Sequence, residues 1–215
     1  MENIEAIIFD MDGVIFDTEK LYFNVWERIF KKYGYDMTID VYSSVMGIGR
    51  DNVKKVFKEI YGQDIPIEQM YKEKDEEVLA AIEENKVEVK AGVKDILEYL
   101  EKNELKIALA TSAKRDRVYK QLIGAGLLEK FDYILCGDEI INPKPNPEIF
   151  IKVAKKLEIK EEHCLVIEDS YSGLNAAFNA KMKVVHVPDL IDYHKKLKNK
   201  INIRLENVIE LKKYI

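Results

Sequence analysis

Short apolar runs recur along the chain, separated by polar turn-forming residues and by amphipathic segments. Such runs are typical of strands that are buried on both faces. Five of them are predicted as strands: Ala6–Phe9, Ile107–Ala110, Tyr133–Cys136, Leu165–Ile167 and Val184–Val187. Between the later strands, apolar residues repeat at helical spacing over residues 93–100, 118–123 and 149–157. Because strands alternate with helices, the pattern predicts an α/β fold with a parallel sheet covered on both faces.

The segment from Asp17 to Asn85 interrupts this alternation, because none of its apolar stretches has the pattern of a strand. Three amphipathic stripes at helical spacing lie there instead. Their apolar members are Leu21, Val25, Ile29, Phe30 and Tyr33, then Val53, Val56, Phe57 and Ile60, then Val78, Leu79 and Ile82. We therefore predict a small helical bundle at residues 17–85, inserted into a core of residues 1–16 and 86–215. Hinges are expected near residues 16–18 and 85–89.

Composition and charge narrow the class of ligand. The chain has 215 residues, 47% of them hydrophobic, which suits one large domain or a core with an insert. Its net charge of −5 lies within residues 16–85, where 10 Lys and Arg face 15 Asp and Glu. No basic face of the size that nucleic acid requires is indicated, so the expected partner is a small molecule.

The termini and cysteines indicate where such a protein works. Residues 1–5 carry no basic leader, and no apolar stretch is long enough to span a membrane. Cys136 and Cys164 lie far apart in apolar segments, which is typical of buried, reduced thiols. We expect a cytoplasmic monomer that binds neither membrane nor nucleic acid.

Four polar clusters follow predicted strands. They are Asp10-Met11-Asp12-Gly13, Thr111-Ser112, Pro143-Lys144-Pro145 and Glu168-Asp169-Ser170. Ligands of open parallel sheets bind outside the carboxyl ends of the strands, at the point where the strand order reverses. If the order is 3-2-1-4-5, the first and fourth strands flank that point, and their acidic residues share one crevice.

The acidic residues of that crevice predict a metal site. Asp10, Asp12, Glu168 and Asp169 cannot all remain ionised at close range without a cation. Oxygen ligands select a hard ion, and Mg²⁺ is the usual partner of carboxylates that handle phosphate. We therefore expect these residues to bind Mg²⁺.

The remaining polar residues suit a phosphoryl group. Thr111 offers a hydroxyl, and Lys144 offers a positive charge on a backbone that two prolines stiffen. Asp10 could attack phosphorus to give an aspartyl-phosphate, and Asp12 could protonate the leaving oxygen as a general acid. Gly13 would let the backbone turn sharply after them.

Each cluster, taken singly, also fits a structural role. The acidic pairs fit turns that follow strands, and Thr111-Ser112 fits the start of a helix. Lys144 fits a solvated loop lysine, which is the usual environment of lysine. The functional interpretation depends on all four clusters following strands in one order.

The order DxDG…TS…KP…ED resembles that of the haloacid dehalogenase superfamily of aspartate-nucleophile phosphotransferases, and the resemblance extends over the whole chain. The inserted helices resemble the cap of the subgroup that contains β-phosphoglucomutase and many sugar-phosphate phosphatases. The resemblance implies a Rossmann-like core. It also implies that Thr111 binds the transferring phosphoryl group and that Lys144 neutralises its charge.

The same resemblance assigns roles to the acidic residues. Asp10 is the expected nucleophile and a magnesium ligand. Asp12 is the expected acid/base, and its backbone carbonyl is expected to bind the metal. Asp169 is an expected magnesium ligand, with Glu168 beside it as a direct or water-mediated ligand.

Candidate contacts to the rest of the substrate lie mostly in the cap. Arg50 follows Gly47 at a loop-to-helix junction, where the cap of similar proteins reaches the site. Thr18, Ser112 and Lys114 are further candidates. We expect all five of these residues to line the substrate site.

These observations favour Mg²⁺-dependent hydrolysis of a small phosphate monoester, such as a sugar phosphate. A β-phosphoglucomutase-type isomerase is the alternative, and a non-enzymatic binding module is a third. In β-phosphoglucomutases, a His and a Lys of the cap gate the phosphorylated aspartate, and the matching positions here are Tyr22 and Met46. Neither side chain can replace the original at neutral pH, so hydrolysis is expected over isomerisation.

Overall fold

The computed structural model describes residues 3–46, 50–84 and 86–215. The chain forms two compact units, one of Met1–Asp17 with Glu88–Ile215 and one of Thr18–Val87. The sequence predicts core segments of residues 1–16 and 86–215, so the first border lies one residue later and the second two residues later than predicted. Among the described residues we find no helix with the length and apolar character that a membrane crossing needs.

The first unit contains one parallel sheet. Its strands are β1 (Ala6–Phe9), β2 (Lys106–Ala110), β3 (Tyr133–Leu135), β4 (Cys164–Glu168), β5 (Lys183–His186) and β6 (Ile203–Arg204). Their order across the sheet is β3-β2-β1-β4-β5-β6. The predicted α/β class and the order 3-2-1-4-5 are confirmed, and β6 is an additional edge strand. Because β1 lies between β2 and β4, the strand order reverses beside β1, where ligands of such sheets bind.

The helices follow the predicted alternation in the core. Those of the second unit are α1 (Thr18–Lys32), α2 (Ile39–Val45), α3 (Arg50–Tyr61) and α4 (Ile67–Glu83). Those of the first unit are α5 (Val93–Lys102), α6 (Arg115–Ala125), α7 (Glu148–Leu157) and α8 (Tyr171–Asn179). Helices α2 and α8 were not predicted, because α2 spans only seven residues and α8 follows a strand-end cluster directly.

Side chains from both faces of the sheet are buried. Ile8 and Val166 contribute to a cluster with Phe150 of α7 and Leu174 of α8. Successive strand residues point to opposite faces, so the neighbouring positions face the other layer, where α5 packs against β2. The whole of β1 is buried, which explains why its sequence is an unbroken apolar run.

The two chain segments that border the second unit are paired within the first. Asp17 N donates to Glu88 O at 3.0 Å, and Lys90 N donates to Ile15 O at 2.9 Å. An isolated antiparallel bridge joins Phe16 to Val89 between these bonds. The chain therefore leaves and re-enters the sheet unit through one short hydrogen-bonded ribbon.

The second unit has an aromatic core. The Trp26 ring lies edge-on to Phe30, Phe57 and Tyr71, with centroid separations of 5.5, 5.7 and 4.8 Å. These rings come from α1, α3 and α4, so the three helices that the stripes predict pack against one another. Some predicted stripe residues are instead on the surface. They are Ile60, Leu79 and, in the first unit, Ile123, which are 48%, 53% and 62% exposed.

Candidate active site

Asp10 is the first residue after β1 and continues the ladder to β4. Its backbone N–H donates to Ile167 O at 3.0 Å, and the residue is only 7% exposed. Burial raises the pKa of Asp10 to about 7, with the charges of Glu168 and Asp12 adding to the shift and Lys144 opposing it. The carboxylate is thus held in a dry, acidic environment where a further positive charge would stabilise its ionised form.

Lys144 reaches this carboxylate from the loop between β3 and α7. Its ammonium donates to Asp10 Oδ1 at 2.5 Å, to Glu168 Oε1 at 2.8 Å and to Ala110 O at 3.1 Å. Burial lowers the pKa of Lys144, but the charges of Asp10 and Glu168 outweigh burial and leave the pKa above its usual range. The side chain is 4% exposed, so Lys144 is a buried charge and not a solvated loop lysine.

The loop that carries Lys144 is fixed by the first residue of α7. Glu148 accepts the backbone N–H groups of Ile141 and Asn142 at 3.0 and 2.9 Å. Asn146 Oδ1 accepts the Glu148 N–H at 3.0 Å, so each residue satisfies a backbone donor. The loop enters the site through a cis Lys144–Pro145 peptide bond.

Glu168 is held from two sides at the end of β4. One oxygen accepts from Lys144, and the other accepts the Ser170 N–H at 2.8 Å and the Ser170 hydroxyl at 2.9 Å. Gly173 lies directly below, because a Cβ there would stand 1.6 Å from Glu168 Oε1. Ser170 belongs to the predicted strand-end cluster but was assigned no role, and Gly173 was not selected from the sequence; Ser170 is the N-cap of α8.

Asp169 faces the turn that follows Asp12. Gly13 has φ +77°, and a Cβ on it would stand 2.2 Å from Asp169 Oδ2. Glycine is therefore required there both for the backbone conformation and for the close approach of the carboxylate. This contact brings the DxDG and ED clusters together, as expected from the strand order.

Asp12 has a partner that sequence reasoning missed. The Arg117 guanidinium of α6 donates to Asp12 Oδ1, and both side chains are about a quarter exposed, at 23% and 24%. The available signal was an arginine in the first turn of the helix that follows the Thr111-Ser112 cluster. Nothing in the spacing, however, indicated that this side chain turns toward β1.

Thr111 and Ser112 lie at the end of β2. Thr111 is 1% exposed, its N–H donates to Leu135 O at 3.1 Å, and its hydroxyl accepts the Ala113 N–H at 3.1 Å. Thr111 therefore has a structural role as well, because its hydroxyl stabilises the turn that leads into α6. Ser112 and Lys114 are exposed, and the Lys114 side chain makes no capping bond to α6.

The cap candidates belong to the second unit. Thr18 is buried at the start of α1, and its hydroxyl makes no hydrogen bond within the described residues. Arg50 begins α3, pairs with Asp75 at 2.7 Å and lies 4.7 Å from the Tyr71 ring centroid. Gly47 lies outside the described residues.

A second cation of this unit was not selected from the sequence. Lys74 pairs with Asp75 at 2.7 Å, and its ammonium lies 5.3 Å from the Tyr22 ring centroid. The Lys74 side chain is 15% exposed. It lies in a run of charged residues, which is why its partial burial was not foreseen.

The acidic residues at the ends of β1 and β4 offer the type of ligand that a hard divalent cation prefers. Four carboxylates gather at the ends of β1 and β4, and Lys144 and Arg117 supply two positive charges against them. The donors are all oxygens, which suits Mg²⁺ and not a thiophilic metal.

Another group of potential metal ligands lies after β3. Ligand atoms of Cys136, Asp138 and Glu139 are within 4.8 Å of one another. Their oxygens are already engaged: Asp138 accepts the Arg115 N–H at 3.0 Å, and Glu139 accepts the Cys136 N–H at 3.0 Å. Burial raises the pKa of the Cys136 thiol to about 12, so its metal-binding form is disfavoured. This group is a hydrogen-bonded turn.

Comparison with known proteins supports a common origin for the fold and the motifs. A phosphorylated carbohydrates phosphatase from Thermotoga maritima is 34% identical over 183 residues, covering 85% of this chain and 84% of the relative. The crystal structure of a β-phosphoglucomutase from Clostridium difficile has 29% identity and a TM-score of 0.73, covering 97% of this chain and 93% of that one.

A third protein shares the fold at lower identity. A haloacid dehalogenase-like protein of unknown function from Agrobacterium tumefaciens has 21% identity and a TM-score of 0.85, covering 98% of this chain and 96% of that one. The sequence profile of haloacid dehalogenase-like hydrolases matches residues 7–187, which include all four polar clusters. The resemblance inferred from the motifs is confirmed: the chain belongs to the haloacid dehalogenase-like hydrolase family.

Proposed function

We propose that the protein is a phosphoric monoester hydrolase that acts on a small phosphorylated metabolite with Mg²⁺, through an aspartyl-phosphate on Asp10. The observation that carries this proposal is the buried Asp10 carboxylate, held by Lys144 at 2.5 Å where the strand order reverses. A buried carboxylate that a lysine holds in one position suits a nucleophile. The turn that follows it supplies Asp12 as the proton donor and acceptor.

The reaction divides into two steps. In the first, an Asp10 oxygen bonds to phosphorus while the bond to the ester oxygen breaks, and Asp12 gives its proton to that oxygen. In the second, a water oxygen bonds to phosphorus, Asp12 takes a proton from the water, and the Asp10–phosphorus bond breaks. Inorganic phosphate leaves, and both aspartates return to their initial states.

Two further residues stabilise the transferring group. Lys144 neutralises the charge of the phosphoryl oxygens, and its own position is set by Glu168 and by Ala110 O. Thr111 offers its hydroxyl from a buried turn. Thr111 directly follows β2, and the loop of Lys144 is held by Glu148, so little reorganisation is required during the reaction.

Magnesium is the proposed cofactor. Asp10, the backbone carbonyl of Asp12, and Asp169 would hold the ion, with Glu168 bound directly or through water. When bound, Mg²⁺ supplies positive charge to the phosphoryl oxygens and aligns them with the nucleophile. The oxygen-only donor set and the raised pKa of Asp10 support this assignment.

The substrate is proposed to be a sugar phosphate. This rests on the similarity to a phosphatase of phosphorylated carbohydrates. Arg50, Gly47, Thr18, Ser112 and Lys114 are proposed substrate contacts. A monomer in the cytoplasm, without nucleic-acid or membrane partners, is the accompanying prediction from the sequence.

Isomerisation within a hexose phosphate is the second candidate, supported by the similarity to a β-phosphoglucomutase. Tyr22 and Met46 argue against it, since they stand where mutases of this subgroup carry the histidine and lysine of the gate. Without those groups, water should reach the aspartyl-phosphate before a second sugar hydroxyl does. A non-enzymatic binding role is disfavoured because every expected catalytic position is filled.

A panel of phosphorylated metabolites, followed by phosphorus NMR with Mg²⁺, tests the proposal. We expect free phosphate from sugar phosphates, and little glucose 6-phosphate from β-glucose 1-phosphate even when the bisphosphate is added. Isomer that forms much faster than phosphate would establish the mutase instead. Absence of both products across the panel would favour the binding role.

A further inference from the structure

Arg117 connects helix α6 to the second aspartate of the Asp10–Gly13 turn. Its guanidinium donates to Asp12 Oδ1, and its Nε donates to Gln121 Oε1 at 2.9 Å. Gln121 is 4% exposed and lies one helical turn further along α6. The guanidinium is therefore held from behind by a buried side chain while it holds the carboxylate in front.

The two aspartates of the turn thus have separate cationic partners. Lys144 binds Asp10, and Arg117 binds Asp12. Asp12 is partly exposed, at 24% of its side chain, and follows the end of β1, so its two side-chain torsions would otherwise sample several rotamers. A planar guanidinium that is itself fixed restricts that choice more than a flexible ammonium can.

We propose that Arg117 is a positioning residue that orients the Asp12 carboxylate for proton transfer in both steps of the reaction. The proposal rests on the proposed function, because that function assigns the proton transfers to Asp12. In the first step the Asp12 proton moves to the ester oxygen as its bond to phosphorus breaks. In the second step Asp12 takes a proton from the attacking water. Arg117 gains and loses no proton in either step.

Esters that differ in their leaving groups separate this role from a structural one. A sugar phosphate has an alkoxide leaving group that must be protonated, whereas the dinitrophenolate of 2,4-dinitrophenyl phosphate leaves without a proton. The ratio kcat/KM reports the steps up to the first irreversible one, here the phosphorylation of Asp10. Loss of an oriented acid therefore lowers kcat/KM for the sugar phosphate alone.

The test measures kcat/KM of wild type, Arg117→Ala and Arg117→Lys with both esters and Mg²⁺. For Arg117→Ala we expect a loss of about tenfold or more with the sugar phosphate, because general acid catalysis typically contributes about 10²–10⁴-fold. With dinitrophenyl phosphate we expect a change of less than about twofold. Arg117→Lys keeps the positive charge but loses the planar guanidinium, so its kcat/KM for the sugar phosphate should lie between those of wild type and Arg117→Ala.

Two controls make the assignment specific. Arg115→Ala removes an arginine of the same helix that pairs with Glu139 at 3.2 Å, and it should leave both ratios near those of wild type. In an Asp12→Asn background, adding Arg117→Ala should lower kcat/KM for the sugar phosphate by less than about twofold. A residue that acts through the Asp12 carboxylate has no effect once that carboxylate is absent. Thermal unfolding of each variant shows whether the fold is intact.

The outcomes separate this proposal from the function on which it rests. Equal losses with both esters, no loss, or a full additional loss in the Asp12→Asn background would overturn the role of Arg117 and leave the phosphatase intact. If Arg117→Ala does not fold, the same comparison with Arg117→Lys decides. A wild-type protein that releases phosphate from neither ester overturns both proposals.

Discussion

At the scale of single residues, the site is organised by buried charges of opposite sign that pair with one another. Lys144 is bonded to two carboxylates and a carbonyl, so all three of its donors are used. Its position would be costly without those partners, because a lone buried ammonium loses its hydration. Asp10 is therefore held in place by a lysine whose own stability depends on Asp10 and Glu168.

The first prediction concerns Asp10 itself. Asp10→Asn keeps the size of the side chain but replaces the proposed nucleophile with an amide that neither attacks phosphorus nor binds Mg²⁺ well. We expect activity to fall below about a hundredth of wild type, since loss of a covalent nucleophile typically costs several powers of ten. Initial rates of phosphate release measure this, with circular dichroism confirming the fold. Activity above that level would contradict an aspartyl-phosphate on Asp10.

A second prediction concerns Gly173, which has no chemistry of its own. In Gly173→Ala the new Cβ would stand 1.6 Å from Glu168 Oε1, so Glu168 must move and its bond to Lys144 must lengthen. Activity should fall by about tenfold or more, because misplaced catalytic groups can cost up to about 10²-fold. Phe178→Ala, at an exposed position of the same helix, is the control. Equal activities of the two variants would show that Glu168 does not position Lys144.

At the scale of elements, β1, β2 and β4 each end in one polar cluster, whereas the Lys144 cluster lies in a loop. The loop is ordered by the first residue of α7, which accepts two of its backbone N–H groups. Lys152 pairs with the same carboxylate at 2.7 Å, one turn further along the helix. The start of α7 thus positions the side chain of Lys144, a proposed catalytic residue four positions before it.

The third prediction uses the titration of Glu148. The Lys152 bond, followed by the N–H groups of Ile141 and Asn142, lowers the pKa of Glu148 to about 2 from 4.5. A lowered folded-state pKa adds stability that is present above the unfolded pKa and is lost as pH falls toward the folded one. The stability difference between wild type and Glu148→Gln should therefore be largest above about pH 5 and shrink toward about pH 2.

Urea unfolding of both proteins at several pH values measures this difference. Glu129→Gln, at an exposed position on the same unit, is the control and should show a smaller, flatter difference. Glu148→Gln should also lower activity at neutral pH, since the loop loses part of its support. A difference in stability that does not depend on pH would contradict the role of the carboxylate as an acceptor.

At the scale of the whole molecule, the sheet collects acidic residues that are distant in the sequence. Asp12 and Asp169 are separated by more than 150 positions in the sequence. Even so, a Cβ on Gly13, the residue after Asp12, would touch Asp169. The strand order places β1 beside β4, so these residues meet because of topology and not because of spacing. Their accumulated charge is the reason to expect dependence on a cation.

The fourth prediction is that dependence. Treatment with EDTA should abolish phosphate release, and added Mg²⁺ should restore it, because the ion offsets the carboxylates and aligns the phosphoryl group. Ca²⁺ should restore little, since it takes a looser, higher coordination than the octahedron of Mg²⁺. A rise in melting temperature with Mg²⁺, absent in Asp169→Asn, is an independent measure. Full activity in excess chelator would contradict the metal site.

The elements of the core could be predicted from the sequence because they are local. Each central strand is a buried apolar run, and three of the four polar clusters directly follow the end of a strand, so pattern and motif agreed. The edge strand β6 could not be predicted, because two residues carry no periodicity and its pairing with β5 depends on distant chain. Helix α2 was not predicted for a similar reason, since seven residues are too few to show a clear helical repeat of apolar positions.

The sequence by itself determined the parallel core, the inserted helices and the residue types that meet at the strand ends. Only the tertiary structure decided which side chains touch. That Arg117 turns to Asp12, that Gly173 leaves room for Glu168, and that Lys144 is buried follow from strand order and register. Such contacts join residues far apart in the chain, and their geometry depends on the packing of several elements at once. A local sequence pattern does not specify that packing, so these contacts could be identified only from the tertiary structure.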